Sequence, residues 1–165
     1  MHVTPAFAIA AASPTDVEAV AALLRAYAAS LPVDLAYQNF AAELATLPGP
    51  YAPPLGALLL ARSPVGAAIG CVALRPLADR GAAEMKRLYV APEGRGLGLG
   101  RALVEAIVRE AGRLGYGEIR LDTLPSMRQA QALYRKCGFA EALPYYPTPV
   151  AGTLFMRRSL AGDNG

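Results

Sequence analysis

Glycine recurs at positions 94, 96, 98 and 100, between a β-branched and aromatic stretch ending at Val90 and an unbroken helical pattern after Gly100. Few features confine a chain so tightly. Alternating glycines let the main chain turn sharply and aim its N–H groups at one point, because no Cβ blocks the approach. The helix that follows adds the unpaired amides of its first turn and the positive end of its dipole. Arg95 and Arg101 flank the loop and bring donors for charge-assisted hydrogen bonds. The segment predicts strand, anion-binding turn and helix, with a phosphate or pyrophosphate as the natural ligand.

Other phosphate motifs fit poorly. A P-loop places Lys followed by Ser or Thr after its last glycine, whereas Gly100 is followed by Arg101 and Ala102. The dinucleotide fingerprint needs glycines at offsets zero, two and five. Counting from Gly94 the third falls on Leu99, and counting from Gly96 it falls on Arg101. A nucleotide-dependent oxidoreductase is therefore disfavoured.

Periodicity organises the rest of the chain. Phe7 to Ala11 reads as a first strand, and Ser13-Pro14-Thr15-Asp16 as the start of an amphipathic helix running to about residue 30. Leu35 to Leu47 predicts a second helix stopped by Pro48-Gly49-Pro50. Leu55–Arg62 and Ala67–Leu74 read as a hairpin, and Ala83–Val90 as the strand entering the glycine loop. Leu103, Val104, Ile107, Ala111 and Leu114 form the core stripe of the next helix, which ends near Gly115. A strand at Glu118–Leu124 follows. Ser126 to Gln129 has the spacing of a capping box that opens another helix, with Gly138 as its left-handed cap. A last strand spans about Thr153 to Ser159. This order predicts an α/β (α+β) chain with a mixed sheet covered by helices, as one domain over residues 1–160 with a flexible tail at 161–165.

Composition narrows the function. Hydrophobic residues make up 54% of the chain, but much of this is alanine and no apolar run approaches the length of a membrane span. The apolar run at 6–12 lacks a preceding Lys or Arg and is soon followed by Asp16 and Glu18, so no signal peptide is expected. Cys71 and Cys137 fit no metal spacing and read as reduced thiols of a cytoplasmic protein. Residues 1–82 carry 4 basic and 5 acidic side chains, residues 83–165 carry 12 and 8, so the positive surplus lies with the glycine loop. That suits a polyanionic ligand. The basic pairs Lys86-Arg87, Arg135-Lys136 and Arg157-Arg158 form no stripe, so nucleic acid is not expected as a partner. The one histidine, His2, sits at the chain end, which disfavours Cys-His and Ser-His catalysis.

A second motif, Ala130-Gln-Ala-Leu-Tyr-Arg-Lys-Cys-Gly-Phe139, lies downstream. With Arg95-x-x-Gly98-x-Gly100 it resembles the signatures of the GNAT superfamily of N-acetyltransferases, over roughly residues 84–139. The resemblance implies a mostly antiparallel sheet, with acetyl-CoA in the splay between the strand before the loop and the strand after it. It implies transfer of the acetyl group to a small-molecule or peptide amine by direct attack in a ternary complex, without a metal or a membrane, in a fold often dimeric. A module that binds acyl-CoA without turnover is the competing reading. By the same resemblance, Arg95, Gly96, Leu97, Gly98, Leu99, Gly100 and Arg101 would cradle pyrophosphate, and the backbone of Leu88, Tyr89 and Val90 would hold pantetheine. Tyr134 would contact the cofactor and protonate the leaving thiolate. Glu84 would accept the amine proton, and strand alternation puts it on the face of Leu88 and Val90 unless a bulge intervenes. Met127 departs from the asparagine common at its position. Asp122 could contact the substrate amine or form a salt bridge, the latter being favoured. Cys137 reads as a packed residue, and some of Tyr27, Tyr37, Tyr145 and Tyr146 are candidates to line the acceptor cleft.

Overall fold

The structure, a computed structural model, describes residues 5–160. Seven strands form one sheet: β1 (Ala8–Ala11), β2 (Ala57–Arg62), β3 (Ala68–Pro76), β4 (Ala82–Val90), β5 (Glu118–Thr123), β6 (Ala140–Glu141) and β7 (Leu154–Ser159). Their spatial order is β1-β2-β3-β4-β5-β7-β6. Every neighbouring pair is antiparallel except β4 with β5. The helices are α1 (Val17–Ser30), α2 (Phe40–Thr46), α3 (Leu99–Arg113) and α4 (Arg128–Lys136). None is long and apolar enough to cross a membrane.

Strict alternation along the central strands divides the core in two. On β2, Ala57, Leu59 and Ala61 face the layer of α3, while Leu58 and Leu60 face the layer of α1. Leu103, Val104, Ile107 and Ala111 fill the first layer, and Val20, Leu23, Leu24 and Tyr51 fill the second. Both faces of the sheet are thus buried, which is why β2 and β3 read as nearly continuous apolar runs.

Three expectations need correction. The helix expected over Leu35–Leu47 is broken at Asn39, whose left-handed backbone (φ 57°) ends a 3-10 turn before α2 begins. Asparagine tolerates that conformation because its short polar side chain bonds locally. The capping box expected at Ser126 does not form. Met127 N–H donates to Leu124 O at 3.0 Å, the chain stays in a turn, and α4 starts one residue later than a Ser126 cap would set it. The two-residue β6 pairs with β7 and carries too short a pattern to be read from sequence. Gly138 does cap α4 as expected, with φ 90° and a Phe139 N–H to Tyr134 O bond of 3.0 Å. The tail at 161–165 lies outside the described residues.

The irregularity that matters most lies in β4. Cys71 pairs with Tyr89 but Ala73 pairs with Lys86, so Val72 faces both Arg87 and Leu88. This is a β-bulge, and Arg87 takes a left-handed backbone (φ 62°) to make it. Lys86 and Arg87 consequently point to the same side, toward α2. Arg87 donates to both carboxylate oxygens of Glu43 at 2.8 Å and lies 5.3 Å over the Phe40 ring. Burial pushes the Glu43 carboxyl up, but the Arg87 hydrogen bonds and charge outweigh it, and the net shift is downward.

Because the pair is buried and bidentate, removing one partner strands the other. Arg87→Ala should lower unfolding free energy by about 3 kcal/mol or more, measured by urea titration, and Glu43→Ala in the same chain should recover part of the loss. The contribution of Glu43 is complete above the ordinary carboxylate range. It should fade as pH falls through the depressed folded-state value, so the gap between parent and Arg87→Ala should narrow in acid.

Candidate active site

The ladder between β4 and β5 covers only Ala82–Glu84 against Glu118–Arg120. Beyond it the two strands separate, and β5 goes on pairing with β7 alone. The cleft between them is lined by Leu88, Asp122, Thr123, Met127 and Tyr134, among others. Side chains from both layers meet there, so the cleft passes through the plane of the sheet. On the α3 side, the β5-facing polar groups of residues 85–90 lie outside any ladder, which leaves main-chain donors and acceptors at the wall.

The glycine loop stands at one end of this cleft. Its four glycines do different jobs. Gly94 is buried, and a Cβ there would come within 3.0 Å of both Ile69 O and Leu99 Cδ2. Gly96 and Gly98 have open space around them but positive φ (78° and 75°). Gly98 is the N-cap of α3, so the amides of Leu99, Gly100 and Arg101 fall in a first turn without intrahelical acceptors. At Gly100 a Cβ would meet Leu133 Cδ2 at 3.4 Å and Val90 Cγ2 at 3.9 Å, ordinary side-chain contacts. The turn at Gly96 and Gly98 that leads into the helix is therefore open, an arrangement that suits an anion.

The flanking side chains contribute less than their spacing suggests. Arg95 and Leu97 are exposed, while Arg101 is exposed and tied to Glu105 at 2.8 Å. Leu99 is buried and anchors the helix to the core, so only its amide faces the loop. Leu88 and Val90 pack toward α3, whereas Tyr89 turns to the other face and lies 6.0 Å from the Tyr27 ring.

Tyr134 projects from α4 into the wall, 6% exposed, with its ring 6.1 Å from Phe139. Burial pushes its phenol well above the ordinary tyrosine range, and the Tyr27, Asp122 and Cys137 charges push the same way. Its hydroxyl therefore keeps its proton at neutral pH. Thr123, 5% exposed, leaves Oγ1 buried without a hydrogen-bond partner among the described residues. An orphaned hydroxyl costs free energy unless a ligand satisfies it.

Glu84 is placed differently from the sequence expectation. The bulge at Arg87 reverses the alternation, so Glu84 faces the α1–α2 layer, opposite to Leu88 and Val90. It is 1% exposed and accepts from Arg75 Nε at 2.6 Å and from the Tyr145 hydroxyl, with Lys86 Nζ at 3.9 Å. For Asp122 a salt bridge was expected ahead of a contact to the substrate amine. Its hydrogen-bond donor is instead the Tyr146 hydroxyl, and it makes no ion pair among the described residues. Tyr145 and Tyr146 both come from the loop joining β6 to β7 and pack against Phe155, with ring centroids 5.3 Å away. Cys71 and Cys137 are buried thiols, Cys71 raised by burial to about 12, so neither is an ionised nucleophile.

Lys86 and Thr123 are the residues that sequence reasoning passed over, while for Asp122 it names an amine contact but favours a salt bridge. The one signal available was the polar pair Lys86-Arg87 inside a strand, which strict alternation does not allow on one face.

Residues 22–139 match the Acetyltransferase (GNAT) family. An uncharacterized N-acetyltransferase of Schizosaccharomyces pombe is 41% identical over 148 residues, covering 90% of this chain and 91% of its own. Among solved structures, a putative acyl-CoA N-acyltransferase from Klebsiella pneumoniae superposes with a TM-score of 0.71 at 31% identity, covering 95% of this chain and 99% of its own. A GNAT-family acetyltransferase from Staphylococcus aureus superposes with a TM-score of 0.79 at 21% identity, covering 94% and 99%, a likeness of fold.

The glycine roles separate by stability. Gly94→Ala should destabilise the fold by about 1–3 kcal/mol, because a rigid main-chain oxygen must move. Gly100→Ala should be neutral or stabilise by up to about 1 kcal/mol, since the position is helical and the new methyl would make only ordinary contacts with Leu133 and Val90. Thermal unfolding of the two variants measures both.

Proposed function

The chain belongs to the GNAT acetyltransferase family, acyl-CoA-dependent enzymes that act on amines, and from that premise we propose that the β4–β5 cleft is where an amine directly attacks the thioester of acetyl-CoA, with both substrates bound at once. The observation that carries this reading is the meeting of three features at one cleft. These are the open turn at Gly96 and Gly98 that leads into α3, the unladdered edge of β4, and the buried, protonated Tyr134.

The residues present fit the cofactor. The amides of Leu99, Gly100 and Arg101 would receive the pyrophosphate, with Gly96 and Gly98 shaping the turn and Arg95 adding charge at the rim. The main chain of Leu88, Tyr89 and Val90 would bind the pantetheine amides, and the orphaned Thr123 hydroxyl would supply a bond that Met127 cannot. When bound, acetyl-CoA supplies an acyl group already activated as a thioester.

The chain then has three tasks. It must orient the amine against the carbonyl, which supplies much of the rate by proximity. It must take a proton from the amine, and we assign that proton to Glu84, which lies on the α1–α2 side of the sheet. A water would carry it, since Arg75 and Tyr145 engage the carboxylate directly. Finally it must protonate the departing sulfur. As the new C–N bond forms and the C–S bond breaks, Tyr134 gives its proton to the thiolate and recovers one from solvent.

Tyr134→Phe should keep acetyl-CoA affinity, measured by calorimetry, while lowering thiol release with an amine acceptor by about 10²-fold. Unchanged turnover with chemistry rate-limiting would leave Tyr134 as packing. For Glu84→Gln, the rate near neutrality should fall and the acidic limb of the pH–rate profile should move or vanish. The defect should shrink as pH rises, because more of the amine arrives deprotonated. A glutamate that serves only the Arg75 pair would give lower thermal stability with a parallel profile.

A further inference from the structure

The acceptor side of the cleft carries two opposite charges, Lys86 and Asp122, that feel one another across it and that the fold holds only loosely, Lys86 through Glu84 at 3.9 Å and Asp122 through a neutral phenol. Arg75 Nε and Lys86 Nζ share one carboxylate oxygen of Glu84, at 2.6 and 3.9 Å. Two cations against one anion leave a positive surplus at this wall. The neighbouring Arg87 is paired with Glu43, yet its charge still reaches Lys86 with the same sign. The Lys86 ammonium has the weaker hold on Glu84, donates to Gln38 Oε1 at 3.2 Å, and is only 11% exposed. Burial pulls its pKa below the ordinary lysine range, a further sign that its charge is under-compensated there.

Asp122, on β5, lines the same cleft as Lys86. Its partner is a neutral phenol, that of Tyr146, and no Lys or Arg pairs with it among the described residues. Tyr27 and Tyr37 also line this cleft, with phenols raised by burial first and by the Asp122 charge after it. Neutral aromatic walls around a lone carboxylate favour a cationic guest. Behind Lys86, a cavity of about 510 Å³ opens past Arg75, Glu84 and Tyr146, a size that admits a small molecule.

Resting on the acyl-transfer reading above, we propose that the acceptor is a small amino acid, its ammonium held by Asp122 and its carboxylate by Lys86. A polyamine would place a second cation against Lys86 and Arg75, and a simple amine would bring no carboxylate to the positive surplus there. The arrangement sets the amine beside the β4–β5 gap, where the thioester is proposed to lie, and directs the rest of the acceptor into the cavity.

The test measures thiol release from acetyl-CoA with the twenty amino acids. For each one used, its carboxamide and its decarboxylated amine are compared, and putrescine is included. Both derivatives should show kcat/KM lower by about tenfold or more, and putrescine should be poorer still. Asp122→Asn should raise KM for every amine by about tenfold or more, with acetyl-CoA affinity by calorimetry unchanged, which also shows that the variant is folded. Lys86→Met, which keeps the apolar stem, should raise KM for the amino acid by a larger factor than it raises KM for the carboxamide, so that the preference between the two collapses. Equal or better use of the amines lacking a carboxylate overturns the assignment. So does acetyl-CoA binding without turnover of any amino acid. Absence of acetyl-CoA binding in the parent would instead overturn the acyl-transfer reading beneath it.

Discussion

The rest of the site depends on a ladder that stops early. After three residue pairs β4 and β5 part, and a parallel pair that should bury a continuous seam becomes a gap. Parting costs main-chain hydrogen bonds on both edges, so something must hold the strands away from each other. The bulge at Arg87 does so by bending β4 and re-aiming its side chains. A non-glycine residue in the left-handed region is held at a cost of roughly 1–2 kcal/mol, and the bidentate pair with Glu43 offsets it. An ion pair spanning from α2 to β4 therefore maintains the opening through which the chemistry is proposed to run.

The fold was legible in the sequence wherever periodicity was long. Val20, Leu24 and their neighbours announce α1, the stripe from Leu103 to Ala111 announces α3, and the alternation of β2 announces a strand between two apolar layers. Helix breaks were less legible. Asn39 gives no local signal strong enough to interrupt Leu35–Leu47, and Ser126 has the spacing of a cap while the turn at Pro125 claims the backbone first. The glycines look alike in sequence. Gly94 is required by packing, Gly96 and Gly98 by backbone angle, while at Gly100 a methyl would make only ordinary contacts.

The candidate site divides along the same line. Tyr134, Leu88 and the loop were visible because local motifs carry them. Lys86 and Thr123 were not, and Asp122 could be named as an amine contact but not chosen over a salt bridge, because each is an ordinary strand residue whose meaning comes from register. Asp122 matters only because β4 has left β5 by that point, and the Thr123 hydroxyl lines the same gap without a partner among the described residues. Glu84 changed faces through a single extra residue in the pairing of β4 with β3, which no count along β4 alone reveals.

The two ends of the cleft are made of different material. The glycine turn offers amide groups, which any residue with the right backbone angles would present equally. The opposite wall is made of side chains hung from the β6–β7 loop, with Tyr145 on Glu84 and Tyr146 on Asp122. No ladder ties those tyrosines to β4 or β5. A descendant of this gene could therefore rewrite that wall one codon at a time while the turn behind Gly98 stays as it is. Divergence would run fast on one face of the sheet and slowly on the other.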